Sequence, residues 1–290
     1  MKYHGRHDKS LVYFTQQCHN PRILPERIKA GTNTGHWETQ TNNNIQPQRK
    51  IARMIVPNYF LGFASEPICD RHGEPTGWVE LLLRPSIDGK SYTPAQFFPR
   101  FDASSLPQLE FEVFQAAVQF ARRNHIEKIS INLSPVSLVD DYFQRSLMRL
   151  IERNIIDARQ LCIEITEESP LGSSEGMLTF LRQLKQHGAL IALDDFGSGS
   201  AHWHLLQHNL IELIKVPAQS LQSMPVKDRN RFIRAIDAFA KTLNIITVLE
   251  GIGSMADFEN GRDLGFHFFQ GWYFNRTQRD QDKQLSAGTN

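Results

Sequence analysis

The chain has 290 residues, 40% of them hydrophobic, enough for one large α/β domain or two small ones with a substantial core. A formal net charge of +1 argues against a surface that serves as a whole as a nucleic-acid platform. Three cysteines without paired spacing (Cys18, Cys69 and Cys162) fit a reduced, cytoplasmic protein better than a disulfide framework or zinc site, and no signal peptide or run of eighteen apolar residues calls for a membrane.

Residues 1–51 read as an N-terminal arm. Within it "GTNTGHWETQTNNNIQPQ" (31–48) offers hardly any apolar side chain to offset the entropy of ordering, so it reads as a flexible linker. Before it, Lys2, Arg6, Lys9, Arg22, Arg27 and Lys29 outnumber Asp8 and Glu26, which reads as a solvated basic tail, the alternative being a short arm for an anionic partner.

From residue 52 to 277 the pattern changes. Two extended runs flank the turn signal "DRHGEPTG", which predicts an extra pair of strands before a repeating unit. Continuous apolar runs then predict buried strands at 77–85, 128–135, 161–169, 189–197, 210–217, 244–251 and 266–274. Between them Leu109, Val113, Ala117 and Phe120 recur at helical steps, as do Val139, Phe143, Leu147 and Ile151, and Phe232, Ile236, Phe239 and Leu243. Strand–helix alternation repeated this often predicts a parallel sheet covered by helices, closed as a TIM-like α/β barrel rather than an open doubly wound sheet. Residues 278–290 read as a C-terminal tail.

Each of these strands ends in polar residues that a buried strand would otherwise avoid. In chain order they are Glu80 with Arg84, Asn132, Glu164 with Glu167, Asp194 with Asp195, Lys215, Glu250 and Gln270. In a barrel those ends converge on one face. Carboxylates crowded into a partly desolvated mouth cannot all stay ionised without a cation, and oxygen donors without His or Cys favour Mg²⁺, Mn²⁺ or Ca²⁺ over zinc. Adjacent aspartates suit two bridged ions, typically ~3.5–4 Å apart, an arrangement used for in-line cleavage of phosphodiesters.

Taken in order, "ELLLR", "NLS", "EITE", "DDFGSG", the lysine of "LIKVP", "EG" of "VLEGI" and "QGWYF" resemble the EAL family, phosphodiesterases that open the bacterial messenger cyclic di-GMP to linear pGpG. The resemblance covers about residues 52–277. It implies a TIM-like barrel with one strand reversed, usually dimeric, and two Mg²⁺ or Mn²⁺ ions. By the same resemblance Glu80, Asn132, Glu164 and Asp194 would hold one ion, and Asp194 with Asp195, partly through water, the second, with Glu250 close by. Lys215 would orient the attacking water or the developing charge, Arg84 would contact the substrate phosphate, Gln270 would line the site, and Glu167 would brace the "DDFGSGS" loop, which couples dimerisation to metal binding.

The chain departs from the family pattern at two acids. Lys-x-Asp becomes Lys215, Val216 and Pro217, and Glu-Gly-Val-Glu becomes Glu250, Gly251, Ile252 and Gly253. Milder departures are Leu81 for Ala, Ser200 for Tyr and Glu66 for Gln. If the missing acids are supporting groups, each loss costs roughly 10–100-fold in metal affinity or rate. The expectation is a weakened phosphodiesterase; the alternative is an inactive cyclic di-GMP receptor or a protein-interaction module that regulates a partner. His202, His204 and His208 lack a further ligand at a fitting interval and read as a solvated helix start. "DDFGSGS" lacks the Lys-Ser/Thr of a P-loop, and Trp203 reads as packing.

Overall fold

The structure is a computed structural model and describes residues 58–166, 174–197, 203–218 and 224–275. The predicted arm (1–51), the tail (278–290), Glu167, Ser200 and His202 lie outside the described residues.

The strands are β1 (Tyr59–Cys69), β2 (Pro75–Ile87), β3 (Lys90–Ser91), β4 (Lys128–Asn132), β5 (Leu161–Thr166), β6 (Leu190–Asp194), β7 (Leu213–Pro217), β8 (Ile246–Glu250) and β9 (Phe268–Gln270). All seven predicted strands are present. The sheet runs β1-β9-β8-β7-β6-β5-β4-β2-β3, and β1 also pairs with β2, which closes eight strands into a barrel and leaves the two-residue β3 as an edge on β2. From β2 to β9 every barrel pairing is parallel, whereas β1 is antiparallel to both of its neighbours. The reversal follows from the short connection. A hairpin joins β1 to β2 because Asp70 caps the turn, accepting from the His72 and Glu74 amides at 2.8 and 3.0 Å, and Gly73 supplies a φ of +85°. The expected extra pair is therefore one extra strand, β1, hairpinned to the strand already predicted at 77–85.

Helices cover the outside: α1 (Pro94–Phe97), α2 (Leu106–Arg123), α3 (Pro135–Val139), α4 (Asp141–Glu152), α5 (Glu175–Gln186), α6 (Trp203–Gln207), α7 (Val226–Leu243) and α8 (Met255–Asp263). Their starts follow from capping chemistry. Asp140 accepts from the Phe143 amide at 2.8 Å and Ser174 from the Met177 amide at 3.2 Å. On α2 the spacing that predicted a helix buries Leu109, Val113, Phe114, Ala117 and Val118. Outward strand residues such as Ile129, Ile131, Ile163, Ile165, Ile191, Leu193, Ile214 and Val216 complete this outer core.

Inside the barrel a second core forms from the alternate residues: Ile68, Trp78, Cys162, Ala192, Leu213 and Val248, with Phe268 against them. Burial in this layer pushes the Cys162 thiol well above its ordinary pKa, with Glu164 adding to the effect, so Cys162 is an inert core thiol as expected. Trp203 lies edge to face on Phe239 at 6.0 Å but stays 55% exposed, so it packs only in part.

Candidate active site

Side chains on a strand alternate faces, so the residue two positions beyond an interior residue also points inward, one layer nearer the carboxyl end. Applied to the inner core, this rule takes Trp78 to Glu80, Cys162 to Glu164, Ala192 to Asp194, Leu213 to Lys215, Val248 to Glu250 and Phe268 to Gln270. Asn132 joins the layer beside Glu164, its partner in the β4–β5 register. The inner apolar plug therefore ends abruptly in a ring of charge. Glu80 is 5% exposed, Glu164 fully buried, Lys215 1% and Gln270 3%.

The ring converges on one atom. Lys215 Nζ lies 2.9 Å from Glu164 Oε2, 3.1 Å from Glu80 Oε2, 3.2 Å from Asp194 Oδ1 and 2.5 Å from Glu250 Oε1. The amides fill in around it. Asn132 Nδ2 donates to Glu80 Oε1 at 2.9 Å and reaches Glu164 Oε2 at 3.5 Å, and Gln270 Nε2 donates to Glu80 Oε2 at 2.6 Å. Four carboxylates thus share one ammonium.

The electrostatics record that imbalance. Burial alone would depress the Lys215 pKa, but Glu164, Glu80, Glu250 and Asp194 hold it well above its ordinary value. Glu80 also overcomes its burial, and its carboxyl is lowered by Lys215 and by hydrogen bonds from Gln270 and Asn132. The others are not compensated: burial, and then the neighbouring acids against the pull of Lys215, raises Glu164 and Asp194 and pushes Glu250 up to about 8.

Asp195 occupies the rim. Its φ of +56° is left-handed, a region Asp tolerates better than most residues, and its charge helps to raise Asp194. The turn is fixed by the Phe196 amide, which donates to the Lys215 carbonyl at 2.8 Å. Arg84 is half-buried further along β2, and its guanidinium donates to the Leu83 carbonyl at 3.0 Å. Among the described residues no carboxylate forms an ion pair with Arg84. Pro217 pairs with Glu250 in the β7–β8 register, where the family pattern would add an acid. Gly253 is exposed, and a Cβ there would meet Asp257 Oδ2 at 3.7 Å.

The structure thus brings Glu80, Asn132, Glu164, Asp194, Lys215, Glu250 and Gln270 together, with Asp195 at the edge. One residue was missed as a site member. Glu66 faces Glu80 in the β1–β2 register, and its Oε2 lies 3.4 Å from Gln270 Nε2. A polar residue after the end of a strand marks this layer only on the parallel strands; on the reversed β1 the inward residue of the layer precedes Ile68 by two positions.

Among the described residues no group of three or more His, Cys, Asp or Glu side chains stands in metal-holding geometry; the acids turn to the lysine instead. The donor set nevertheless fits hard cations. It consists of carboxylate and amide oxygens, its four carboxyl groups share a single ammonium, and Glu164 Oε1 accepts no hydrogen bond among the described residues.

A helix-clad barrel with one reversed strand and a buried acidic ring at the carboxyl ends of the others defines an α/β-barrel protein with a polar site at its mouth. The EAL domain model matches residues 59–277, so the chain belongs to the EAL domain family. Among curated relatives it is 27% identical over 222 residues to "Probable cyclic di-GMP phosphodiesterase PdeA" of Escherichia coli (strain K12), covering 74% of this chain and 30% of that protein. It is 25% identical over 260 residues to cyclic di-GMP phosphodiesterase PdeL of the same organism, covering 87% and 72%. The chain spans about a third or less of the length of several of the curated relatives it matches. Among solved structures, the c-di-GMP complex of the PaMucR phosphodiesterase has a TM-score of 0.62 at 26% identity, over 73% of this chain and 89% of that one. The EAL domain protein of Listeria monocytogenes EGD-e shares the fold, with a TM-score of 0.63 at 23% identity, over 78% and 93%.

Proposed function

We propose that the chain is a divalent-metal phosphodiesterase that opens cyclic di-GMP to linear pGpG, acting as a cytoplasmic homodimer. The observation that carries the reading is the convergence of Glu80, Glu164, Asp194 and Glu250 on the single Nζ of Lys215, a surplus of buried negative charge that calls for further cations. Family membership and the likeness to a phosphodiesterase solved with c-di-GMP support the substrate class.

Glu80, Asn132, Glu164, Asp194 and Asp195 would hold the Mg²⁺ or Mn²⁺ ions, with Glu250 beside them. When bound, such ions supply Lewis-acid charge against phosphodiester oxygens and lower the pKa of water toward neutrality. The protein's own groups do the rest. Lys215, locked by four acceptors, keeps its proton and presents a fixed positive charge, so it orients rather than acts as a base. Arg84 is free of carboxylate partners among the described residues and suits a phosphate oxygen. Glu167, in the brace role for the loop after Asp195, belongs to the same proposal.

A specific observation favours a second reading, a receptor that binds cyclic di-GMP without turnover and signals through a protein contact: Pro217 and Gly253 bring no carboxylate to the mouth. One experiment separates them. Purified protein with Mn²⁺ and cyclic di-GMP releases pGpG under the first reading, and Asp194→Ala stops it. Calorimetric binding without product supports the receptor, and neither result leaves only an interaction module.

A further inference from the structure

Glu66 reaches the mouth from the one strand that runs against the others. Gln270 Nε2 contacts Glu66 Oε2 at 3.4 Å and Glu80 Oε2 at 2.6 Å. An ionised carboxylate only accepts, so both contacts demand the nitrogen end of the Gln270 amide. Its oxygen is thereby turned away from the acids. Gln270 is 3% exposed, and among the described residues its Oε1 accepts no hydrogen bond. A buried acceptor without a protein donor is the kind of group a ligand completes. The backbone holds it in place, because the Ile252 amide donates to the Gln270 carbonyl at 3.1 Å and Gly271 lets the chain pass against Ile252.

We infer that Glu66 is a positioning residue: with Glu80 it fixes the orientation of the Gln270 amide, so that Oε1 is presented to an N–H or O–H donor of the ligand in the barrel mouth. With the function proposed above, on which this half of the inference rests, the donor belongs to the cyclic dinucleotide, whose guanine N–H and ribose hydroxyl groups are its hydrogen-bond donors. The charge on Glu66 is what matters. A glutamine there could donate to Gln270 Oε1 and let the amide turn over, removing the preference.

The test has two parts on the full chain. Without metal or ligand, the side-chain ¹⁵N–¹H pair of Gln270, assigned by its loss in Gln270→Ala, shifts and exchanges faster in Glu66→Gln and moves less in Glu66→Asp. A pair unmoved in both variants overturns the inference. Calorimetry with cyclic di-GMP, using Ca²⁺ in place of Mn²⁺, then gives about tenfold weaker binding for Glu66→Gln and for Gln270→Ala, the cost of roughly one hydrogen bond. The double variant binds no more weakly than Gln270→Ala alone; losses that multiply overturn the inference. A merely structural Glu66 would lower the melting temperature and leave the amide pair unchanged. If the wild-type chain binds no cyclic di-GMP while the amide pair still responds to Glu66→Gln, the proposed function fails and the positioning role stands.

Discussion

Lys215 Nζ lies 2.9 Å from Glu164 Oε2, and both side chains are essentially withdrawn from solvent. The pair is not balanced, because Glu80, Asp194 and Glu250 claim the same ammonium. Removing the cation therefore leaves buried acids facing one another. Lys215→Met in the presence of a chelator is expected to lose about 3–5 kcal/mol of unfolding free energy in urea, the cost of breaking a buried pair from one side. A loss under about 1 kcal/mol would show that the acids are protonated or relaxed at no cost.

Glu164 is the acid with most to gain from neutralisation, since burial and then Glu80 raise it. Glu164→Gln keeps the shape and removes the charge. The metal-free variant should melt above wild type, while its Mn²⁺ affinity falls by at least about tenfold. Opposite signs in the two measurements are the expected signature of a site kept for function at the expense of stability. A lower melting temperature with unchanged Mn²⁺ binding contradicts the ligand role.

The metal-free protein should also respond to pH. Glu250 has a folded pKa of about 8 against an ordinary 4.5, so the stability it contributes is complete below about 4.5 and lost as pH rises through 8. Glu164 and Asp194 are raised as well and act with the same sign. Glu80 is lowered, and its contribution is lost only as pH falls below its ordinary range. In EDTA the melting temperature is expected to decline from about pH 5 to about pH 9, less steeply in Glu250→Gln. Saturating Mn²⁺ should flatten or reverse the decline, because a bound cation favours the ionised acids. A flat EDTA profile would contradict the charge surplus.

The two missing acids can be put back. Gly253 is exposed, and a Cβ there would come no nearer than 3.7 Å to Asp257 Oδ2, so it has room for a side chain, while Pro217 ends a strand beside Glu250. Gly253→Glu and Pro217→Asp are each expected to raise turnover of cyclic di-GMP by roughly 10–100-fold if those acids support the metal site. No gain from either variant in Mn²⁺ would assign the departures to another purpose.

Gly271 gives a test of the scaffold. A Cβ there would sit 2.4 Å from the Ile252 nitrogen and 2.5 Å from its oxygen, at a φ of +154°. Backbone cannot yield as a flexible side-chain tip does. Gly271→Ala should cost about 1–3 kcal/mol as an overpacking strain and shift Gln270, weakening ligand binding with it. Full stability in urea would show that the two segments separate easily.

What the amino-acid order determined by itself was periodic. Short continuous apolar runs marked the strands, period 3.6 marked helices such as α2 and α4, and the polar residue at the end of each run marked Glu80, Asn132, Glu164, Asp194, Lys215, Glu250 and Gln270. Closure supplied what no local pattern contains. It placed β1 between β2 and β9, reversed, and so carried Glu66 to the side of Gln270, a contact spanning 204 positions. It also chose the partners: spacing names acids and a lysine, but only the shared barrel interior makes four carboxylates compete for one ammonium. The physical reason is that alternation along a strand is a local property of the backbone, whereas direction, register and mutual distance arise when the sheet closes on itself.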